Sequence, residues 1–335
     1  MSHTSSRATS VAVLGSGAWG TVLAALLAEA GAAVALWARR PEHAALLRAR
    51  RENPAYLPDF PLPDGVRATA DLRDATRDAD LAVVAVPSRA VRALVRALPR
   101  PQEAVLPLLL AAKGIEAERF LRLSEVVLEE RPGTPVAVLS GPNLAAEIAA
   151  RKPAAATVAS DDAALAQRVQ ALLAGGALRV YTSRDVIGVE IAGALKNVVA
   201  LAAGMSDGLG LGDNSKAAII TRGLAEMVRL GTRLGGDPRT FYGLAGVGDL
   251  VATCTSAQSR NHLAGERFAR GVPLAAIEAS HLTAEGIPTA LAVHRKTRAM
   301  GLDLPIAGEV YRVAYEGKSV DEALRALMER AVRAE

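Results

Sequence analysis

The sequence predicts an α/β protein with two domains, in which a doubly wound, mostly parallel sheet precedes a helical second domain. Three observations support this. The 335 residues are more than one simple core accommodates. Short apolar β-branched segments alternate with helical ones as far as Thr182, which is typical of a parallel sheet covered by helices. Only helical patterns follow. We therefore expect a disordered tail at 1–9, a first domain at 10–184 and a second at 185–335.

The composition narrows the class of protein. Hydrophobic residues make up 50% and charged residues 22% of the chain, as in a soluble globular protein. The net charge of +4 comes from interspersed basic and acidic residues, which suits a small anionic substrate. Aromatic residues are only 3%, which argues against nucleic-acid binding by base stacking. Cys254 is the single cysteine and the N-terminus lacks a signal sequence, so we expect a cytoplasmic location.

A glycine-rich turn joins the first strand to the first helix. Ser10–Leu14 is an apolar run, a G-x-G-x-x-G sequence occupies 15–20, and Thr21–Ala30 continues as a helix. This order is the fingerprint of a Rossmann-type dinucleotide-binding domain. Its three glycines permit, in turn, the tight bend, the approach of the pyrophosphate and close packing of helix on strand. The sequence predicts a dinucleotide at the helix N-terminus; a plain glycine-rich turn is the alternative.

Two arginines follow the next strand. Arg39 and Arg40 come after Ala33–Trp37, where an NAD-specific domain places an acidic residue for the ribose 2′-hydroxyl. A guanidinium there suits the 2′-phosphate of NADP. The sequence therefore favours NADP, with NAD as the second choice. In the alternative interpretation both arginines are surface charges at the start of a helix that has Pro41 at its first position.

Further candidates lie at the carboxyl ends of later strands, where open α/β sheets bind their ligands. Lys113 follows the strand Ala104–Ala112, and the turn 140–143 follows Pro135–Leu139. The other predicted elements of this half are an ordered loop Asn53–Gly65, a helix Asp71–Asp80, a strand Leu81–Val86, a cap at Ser88, helices Leu144–Ala150 and Asp161–Leu173, and strands Pro153–Ala159 and Arg179–Thr182.

The stretch Asp185–Met205 opens the second half and is almost entirely apolar, with Glu190, Lys196 and Asn197 inside it. A membrane span is disfavoured because a central Lys costs roughly 2.5–3.5 kcal/mol. We therefore predict a buried core helix. A buried Lys must be paired or take part in chemistry; a Lys whose head reaches solvent is the alternative. Small residues beside Lys196, Gly193 among them, would let a ligand approach the ammonium group.

The remaining segments alternate helices with glycine-rich turns. Their predicted elements are a loop Ser206–Gly212, a helix Asp213–Gly236 with its first polar residues as caps, a helix start at Asp237–Pro238, a glycine-rich segment Gly243–Thr255, a helix from Ser259 to Ala269, a turn Thr283–Pro288 and a capping box at Ser319 and Glu322. No spacing typical of a metal site occurs, and the histidines form no acid–base set.

The two halves together indicate hydride transfer, in which the protein supplies binding, orientation and a proton. Reduction of a ketone creates an alkoxide. Protonated Lys196 is the candidate to donate a proton to that oxygen, and Asn197 to form a hydrogen bond with it. We expect Asp249 to hold Lys196 or a substrate hydroxyl, with a helix N-cap as its alternative role.

An anion site is predicted at the start of a later helix. Arg260 and Asn261 follow Ser259, a residue type that caps helices. The helix N-terminus and a guanidinium together suit a phosphate group. An exposed helix start is the alternative.

Seven motifs occur in one order along almost the whole chain. They are Gly15-Ser-Gly-Ala-Trp-Gly-Thr21, Lys113-Gly114, Ser140-Gly-Pro-Asn143, Gly193-Ala-Leu-Lys-Asn197, Thr221-Arg-Gly-Leu-Ala-Glu226, Gly246-Val-Gly-Asp-Leu250 and Gln258-Ser-Arg-Asn261. Each is weak alone, but the ordered set resembles the bacterial-type NAD(P)-dependent glycerol-3-phosphate dehydrogenases from about Val11 to about Leu327.

The resemblance implies roles for individual residues. Lys196 matches the family's catalytic lysine, the proton acceptor in glycerol 3-phosphate oxidation, and Lys113 matches a lysine that touches cofactor and substrate. The resemblance and the motifs give a catalytic set of Lys196, Asn197 and Asp249. The implied substrate contacts are Lys113, Gly141, Asn143, Lys196, Asp249, Thr253, Ser259, Arg260 and Asn261. The implied cofactor contacts are Gly15, Ser16, Gly17, Trp19, Gly20, Arg39, Arg40, Lys113, Ala145, Arg260 and Glu285.

Two positions depart from the family pattern. Asn143 stands where Ser or Thr is usual, and Ala112 stands where Thr or Ser usually precedes the Lys-Gly pair. The first departure leaves open how residue 143 would contact the substrate. Neither affects the expected proton donor.

The expected reaction is reversible hydride transfer between NAD(P)H and dihydroxyacetone phosphate, giving sn-glycerol 3-phosphate. The resemblance also implies a homodimer and a role in supplying glycerophospholipid synthesis, without metal, nucleic acid or membrane insertion. One alternative is another β-hydroxyacid-type dehydrogenase, whose substrate would lack the phosphate that Arg260 is expected to bind. The other is a dinucleotide sensor, which would bind the cofactor without turnover.

Overall fold

A computed structural model describes residues 8–99, 105–280 and 282–330. Most of the predicted tail at 1–9 and the first residue of the predicted strand Ala104–Ala112 lie outside these ranges. The chain divides into two compact units, the first of which ends at Val186. Two short segments, Lys113–Leu123 and Ser140–Pro142, pack with the second unit, although the sequence analysis assigns both to the first domain. The predicted boundary after residue 184 stays a prediction.

Twelve strands occur within the described residues. In chain order they are β1 Ser10–Leu14, β2 Ala33–Trp37, β3 Glu52–Asn53, β4 Leu57–Pro61, β5 Val66–Thr69, β6 Leu81–Val84, β7 Leu108–Leu110, β8 Ile115–Glu116, β9 Leu121–Arg122, β10 Val136–Ser140, β11 Ala154–Ala159 and β12 Leu178–Ser183.

Eight of these strands form one sheet in the order β12-β11-β10-β7-β6-β1-β2-β5. The pairs β5–β2, β2–β1, β1–β6, β6–β7, β7–β10 and β11–β12 are parallel. The order reverses direction on either side of β1, as in a doubly wound sheet with its ligand site at the switch point. The predicted Rossmann-type fold is therefore confirmed.

Fifteen α-helices lie in the described ranges. They are α1 Ala18–Glu29, α2 Pro41–Arg50, α3 Leu72–Thr76, α4 Val91–Ala97, α5 Leu123–Glu130, α6 Ala145–Ala149, α7 Ala163–Leu173, α8 Val186–Gly208, α9 Gly212–Arg233, α10 Asp249–Thr255, α11 Arg260–Ala269, α12 Leu274–Ala279, α13 Gly286–Met300, α14 Pro305–Glu316 and α15 Val320–Met328. Helices α9 to α15 belong to the second unit, with α8 from its second residue on.

Sequence patterns misplaced several elements of the first unit. The predicted loop Asn53–Gly65 contains the antiparallel pair β3–β4, because prolines are tolerated in a short edge pair. The sheet strand β5 at its end was not predicted. Ser88 begins a short 3₁₀ turn without a side-chain cap, whereas Asp71 and Asp162 cap α3 and α7 with their carboxylates.

Helix α8 forms the centre of the second unit. Every residue from 188 to 206 is buried. It is the one described helix long and apolar enough to cross a membrane, and 94% of its most apolar window is buried inside the protein. Its apolar composition is explained by neighbouring helices that cover it on all sides. The predicted core helix is therefore confirmed as an element.

The helix borders in the second unit differ from the predicted ones in two places. Helix α8 continues to Gly208, so the predicted loop Ser206–Gly212 shrinks to three residues. Helix α9 has Leu211 at its N-cap and no side-chain cap, although polar residues follow. The prediction overestimated how strongly glycine ends a helix, since Gly208 continues α8 and a Cβ there would lie 2.6 Å from the Ala269 Cβ. The capping box of Ser319 and Glu322 is present as predicted.

Gly204 allows α8 and α11 to touch backbone to backbone. A Cβ atom added at Gly204 would lie 2.0 Å from the His262 carbonyl oxygen. In the same crossing, a Cβ at Gly265 would lie 2.1 Å from the Leu201 carbonyl oxygen. Side chains larger than hydrogen are therefore excluded, and the two helices approach as closely as backbones can.

Gly204→Ala should lower the free energy of unfolding by about 2 kcal/mol, because overpacking forces the helices apart. Gly308→Ala is the matched control. Its new Cβ would be 3.8 Å from the nearest atom, on Arg312, so it should raise stability by about 0.5–1 kcal/mol through helix propensity. Chemical denaturation followed by circular dichroism measures both. A Gly204→Ala variant as stable as the parent protein would contradict the close crossing.

Candidate active site

The first unit carries an anion-binding turn ahead of α1. A Cβ at Gly20 would lie 1.9 Å from the Gly15 carbonyl oxygen, so the turn closes only with glycine. Gly17 is the N-cap of α1 and no side chain caps the helix. No atom lies within 4 Å of a Cβ built at Gly17. Uncapped amides, an open space above them and no acidic residue in the first turn fit a pyrophosphate.

The other predicted cofactor residues of this unit lie in that turn, on α1, after β2 and on α6. Ser16 is part of the turn, and Trp19 and Ala145 are partly buried against the sheet core. Arg39 and Arg40 follow β2 with exposed side chains, and Pro41 is the first residue of α2. The contact of Arg40 with Glu42 is loose, at 3.8 Å between charged atoms. Both guanidinium groups are therefore accessible.

A buried carboxylate joins two lysines in the second unit. Lys196 Nζ donates to Asp249 Oδ1 at 2.6 Å, and Lys113 Nζ donates to Asp249 Oδ2, also at 2.6 Å. Lys196 also donates to Thr253 Oγ1 at 2.7 Å, and Lys113 to the Gly141 carbonyl at 2.7 Å. An ammonium has three donors. Within the described part of the chain, Lys196 therefore keeps one N–H without a protein acceptor.

Four elements bring these groups together. Lys196 lies in the middle of α8, and Asp249 and Thr253 lie one turn apart on α10. Lys113 lies three residues after the end of strand β7. Gly193 of α8 packs against it, since a Cβ there would be 2.9 Å from Ser140 Oγ and 3.7 Å from Lys113 Cγ. The small residue beside Lys196 therefore makes room for Lys113 and Ser140, where the sequence analysis expects space for a ligand.

Burial and charge set the protonation of the cluster. Burial lowers the pKa of Lys196 to about 8; the Asp249 carboxylate counteracts this and the Lys113 ammonium adds to it. Burial opposes ionisation of Asp249, but the charges of Lys113 and Lys196 hold the pKa of its carboxyl below the ordinary value. A lysine with a pKa near neutrality is suited to exchange a proton during a reaction. The helix N-cap alternative for Asp249 is wrong, because Gly248 holds that position.

A chain of amides connects α8 with two other helices. Asn197 Oδ1 accepts from Asn261 Nδ2 at 2.8 Å, and Asn261 Oδ1 accepts from the Gly286 backbone N–H at 2.9 Å. All three residues are buried. Glu285, the predicted cofactor contact, is the N-cap residue of α13. The start of α11 and the start of α13 are therefore fixed against the residue next to Lys196.

The predicted anion site lies at the first turn of α11. Ser259 is its N-cap and accepts from the His262 backbone N–H. The Arg260 side chain is exposed and forms no ion pair with any residue that the structure describes. A half-buried network that the sequence analysis did not identify supports the turn: Asp207 Oδ2 lies 2.8 Å from His262 Nε2 and 2.8 Å from Lys216 Nζ.

Asn143 and Glu190 lie outside the cluster of Asp249 and its two lysines. Asn143 belongs to the first unit, and its Nδ2 donates to the Ala155 carbonyl at 3.2 Å. Its side chain therefore bonds to strand β11 of the sheet. Glu190, which had no assigned partner, forms an ion pair with Arg122 at 3.0 Å within the second unit. That pair fastens the segment that carries Lys113 to α8.

A glycine turn that fits a pyrophosphate on a Rossmann-type sheet, and a buried lysine with a pKa of about 8 on a helical unit, are features of a nicotinamide-dependent dehydrogenase. Comparison with known proteins narrows the class. Residues 10–166 match the family model of the NAD-dependent glycerol-3-phosphate dehydrogenase N-terminus, and residues 185–325 match that of the C-terminus. The chain belongs to this family.

Individual relatives agree with the family models. The chain is 48% identical to glycerol-3-phosphate dehydrogenase (NAD(P)+) of Chlorobium limicola over 97% of its own length and 99% of the relative. It is 51% identical to the Thermus thermophilus enzyme of that name, over 97% and 99% of the two chains. The crystal structure of Coxiella burnetii glycerol-3-phosphate dehydrogenase superposes with a TM-score of 0.91 at 37% identity, over 96% and 99% of the chains.

Asp249→Asn should lower the free energy of unfolding by about 3 kcal/mol at pH 7, because it leaves the buried Lys196 ammonium and the half-buried Lys113 ammonium without their counter-charge. The loss should be smaller at pH 9.5, where Lys196, with a pKa of about 8, is neutral. Urea denaturation at both pH values measures this. Glu147→Gln, which removes the exposed partner of Lys152, should cost less than about 1 kcal/mol. Equal losses of unfolding free energy in Asp249→Asn and Glu147→Gln would contradict the electrostatic coupling of Asp249 to the two lysines.

Proposed function

We propose that this protein catalyses reversible hydride transfer between NAD(P)H and dihydroxyacetone phosphate, giving sn-glycerol 3-phosphate. The observation that carries the proposal is the buried Lys196 ammonium, which holds Asp249 and Thr253 and retains one free donor. Family membership supports the substrate, and the anion-binding turn ahead of α1 supports the cofactor. The reaction needs one hydride and one proton, and the two units provide a place for each.

Lys196 acts on the oxygen that becomes the alkoxide. During reduction its free N–H donates to the carbonyl oxygen of the substrate and passes the proton as negative charge develops there. During oxidation the neutral amine takes the proton from the hydroxyl. A bound nicotinamide dinucleotide supplies or accepts the hydride. Asp249 keeps the lysine in place and stabilises its charged form, which opposes the lowering of the Lys196 pKa by burial.

The other substrate contacts follow from the position of their groups. Arg260, with its exposed guanidinium on the first turn of α11, binds the phosphate together with Ser259 and the helix N-terminus. Asn261 holds Asn197 for a hydrogen bond to the reacting oxygen. Further contacts are assigned to Lys113, Gly141, Asn143 and Thr253.

The cofactor contacts are assigned to the turn Gly15–Gly20 and to residues that follow strands or lie at the starts of helices. These residues are Arg39, Arg40, Lys113, Ala145, Arg260 and Glu285. The two accessible guanidinium groups after β2 support NADP as the preferred dinucleotide, because they stand where an NAD-specific domain places an acidic residue for the 2′-hydroxyl. We assign the enzyme to the cytoplasm as a homodimer that supplies glycerophospholipid synthesis, without insertion in a membrane.

Lys196→Met should lower kcat for dihydroxyacetone phosphate reduction by about 10²–10⁴-fold, the usual contribution of a general acid. In the parent enzyme kcat/KM for reduction should fall as the pH rises through about 8, and that for oxidation should rise, because reduction needs the charged and oxidation the neutral lysine. Steady-state rates in both directions between pH 6 and 10 measure this.

The control is Lys152→Met, which changes an exposed lysine of the first unit and should leave the rates unchanged. Near-parental turnover of the Lys196→Met enzyme with dihydroxyacetone phosphate would refute the assigned mechanism. Absence of turnover by the parent enzyme, with the cofactor bound, would refute the proposed reaction itself.

Arg39→Ala and Arg40→Ala should each lower kcat/KM for NADPH by about tenfold or more, since a charged hydrogen bond contributes about 1.5–3 kcal/mol. The value for NADH should change little. Arg50→Ala, at the far end of the same helix α2, is the matched control. A parent enzyme that strongly prefers NADH would show that neither arginine recognises a 2′-phosphate.

A further inference from the structure

A buried carboxamide lies behind the dinucleotide turn of the first unit. Asn53 is the last residue of β3, and none of its surface is exposed. Its Nδ2 donates to the Ser16 carbonyl at 2.9 Å and to Thr21 Oγ1 at 2.7 Å. The two hydrogens of the amide are both used in this way. Neither the G-x-G-x-x-G motif nor the assigned cofactor contacts include Asn53.

The hydroxyl of Thr21 extends this network to the next peptide. Thr21 Oγ1 accepts from Asn53 and donates to the Gly17 carbonyl at 2.9 Å. Asn53 therefore fixes the Ser16 carbonyl directly and the Gly17 carbonyl through Thr21. These are two consecutive peptide groups of the turn that precedes α1.

Fixing a carbonyl also fixes the next amide. In a planar trans peptide the C=O of one residue and the N–H of the following residue point in opposite directions. The Ser16 and Gly17 carbonyls point toward Asn53 and Thr21, so the N–H groups of Gly17 and Ala18 point away from them. Those N–H groups belong to the uncapped N-terminus of α1, where a pyrophosphate is expected. The network holds the donors in the orientation that an anion requires.

Asn53 is itself held firmly. Its backbone carbonyl accepts from the Tyr56 N–H at 3.2 Å, which closes the turn between β3 and β4. The neighbouring Arg51 guanidinium donates to the carbonyls of Leu62 and Val66, beyond β4. These contacts hold the hairpin, and with it the Asn53 carboxamide, in a fixed position beside the turn.

The unused oxygen of Asn53 points to a role other than packing. Asn53 Oδ1 is buried and has no hydrogen-bond partner among the described residues. Burying an unpaired acceptor costs stability, so packing alone would favour an apolar residue. Two donors aimed at the turn account for an asparagine at this position.

We propose that Asn53, acting with Thr21, is a positioning residue that sets the affinity for the pyrophosphate of the cofactor. This proposal rests on the proposed use of a nicotinamide dinucleotide. The network reaches only the turn below the pyrophosphate, which NADH and NADPH share. It therefore strengthens the binding of both cofactors by the same factor, in contrast to Arg39 and Arg40, which act on the 2′-phosphate of NADPH alone.

The test is to titrate the full-length protein with NADPH and with NADH, without substrate, and follow cofactor fluorescence. Asn53→Ala and Thr21→Val should each raise Kd about tenfold for both cofactors, equivalent to ~1.4 kcal/mol. Thr21→Ser keeps the hydroxyl and should restore most of the affinity. In steady-state turnover Asn53→Ala and Thr21→Val should raise KM for the cofactor and leave kcat unchanged. Glu52→Gln, which alters the adjacent residue of β3, is the control and should bind like the parent.

Kd values of Asn53→Ala and Thr21→Val within twofold of the parent would overturn the proposal. A loss of affinity confined to NADPH would also overturn it, and so would an equal loss of affinity in Thr21→Val and Thr21→Ser. If Asn53→Ala does not fold, the two Thr21 variants decide the matter. A parent protein that binds neither cofactor would refute the proposed function, and this inference with it, whereas normal parental binding with unaffected variants would refute the inference alone.

Discussion

The Asp249 carboxylate, shared by two ammonium groups in the interior of the second unit, is the interaction on which the rest of the site depends. An ion pair taken out of water is stable only if its geometry is close and its remaining donors are used. Here both carboxylate oxygens are engaged, and Thr253 and the Gly141 carbonyl occupy further donors. Removing Asp249 leaves both ammonium groups without a counter-charge. The carboxylate therefore fixes Lys196 in space and opposes the effect of burial, which lowers the pKa of Lys196 to about 8.

The scaffold explains how such a cluster forms in a chain so rich in small residues. Close approach of helices at Gly204, and of Lys113 to Gly193, brings groups from distant parts of the sequence within hydrogen-bonding distance. The pair Arg122–Glu190 holds the Lys113 segment against α8. The amides of Asn197 and Asn261 carry the same rigidity to the start of α11, where Arg260 is exposed. The groups to which we assign proton exchange and phosphate binding therefore lie on one helix and its neighbours.

The sequence predicted what depends on local pattern and missed what depends on long-range contact. The glycine turn, the strands beside it, the apolar helix around Lys196 and the capping box at Ser319 all depend on residues that are close together in the sequence. Asn53 lies in a proline-rich segment that has no hydrophobic periodicity. Its contact with Ser16, 37 positions away, therefore leaves no pattern in the sequence from which it could be predicted. Glu190 and Arg122 are 68 positions apart and were equally invisible. Asp249 was identified as a partner of Lys196 because an unpaired buried lysine requires a carboxylate, but its second lysine was not anticipated.

Direct titration of the Lys196 ammonium tests the central claim most closely. The protein would be prepared with lysine labelled with carbon-13 at Cε, and the Lys196 signal assigned by its loss in Lys196→Met. The account predicts that this signal titrates with a pKa of about 8, well below the ordinary 10.5 of lysine. A Lys196 signal that titrates near 10.5, as in an exposed lysine, would contradict it.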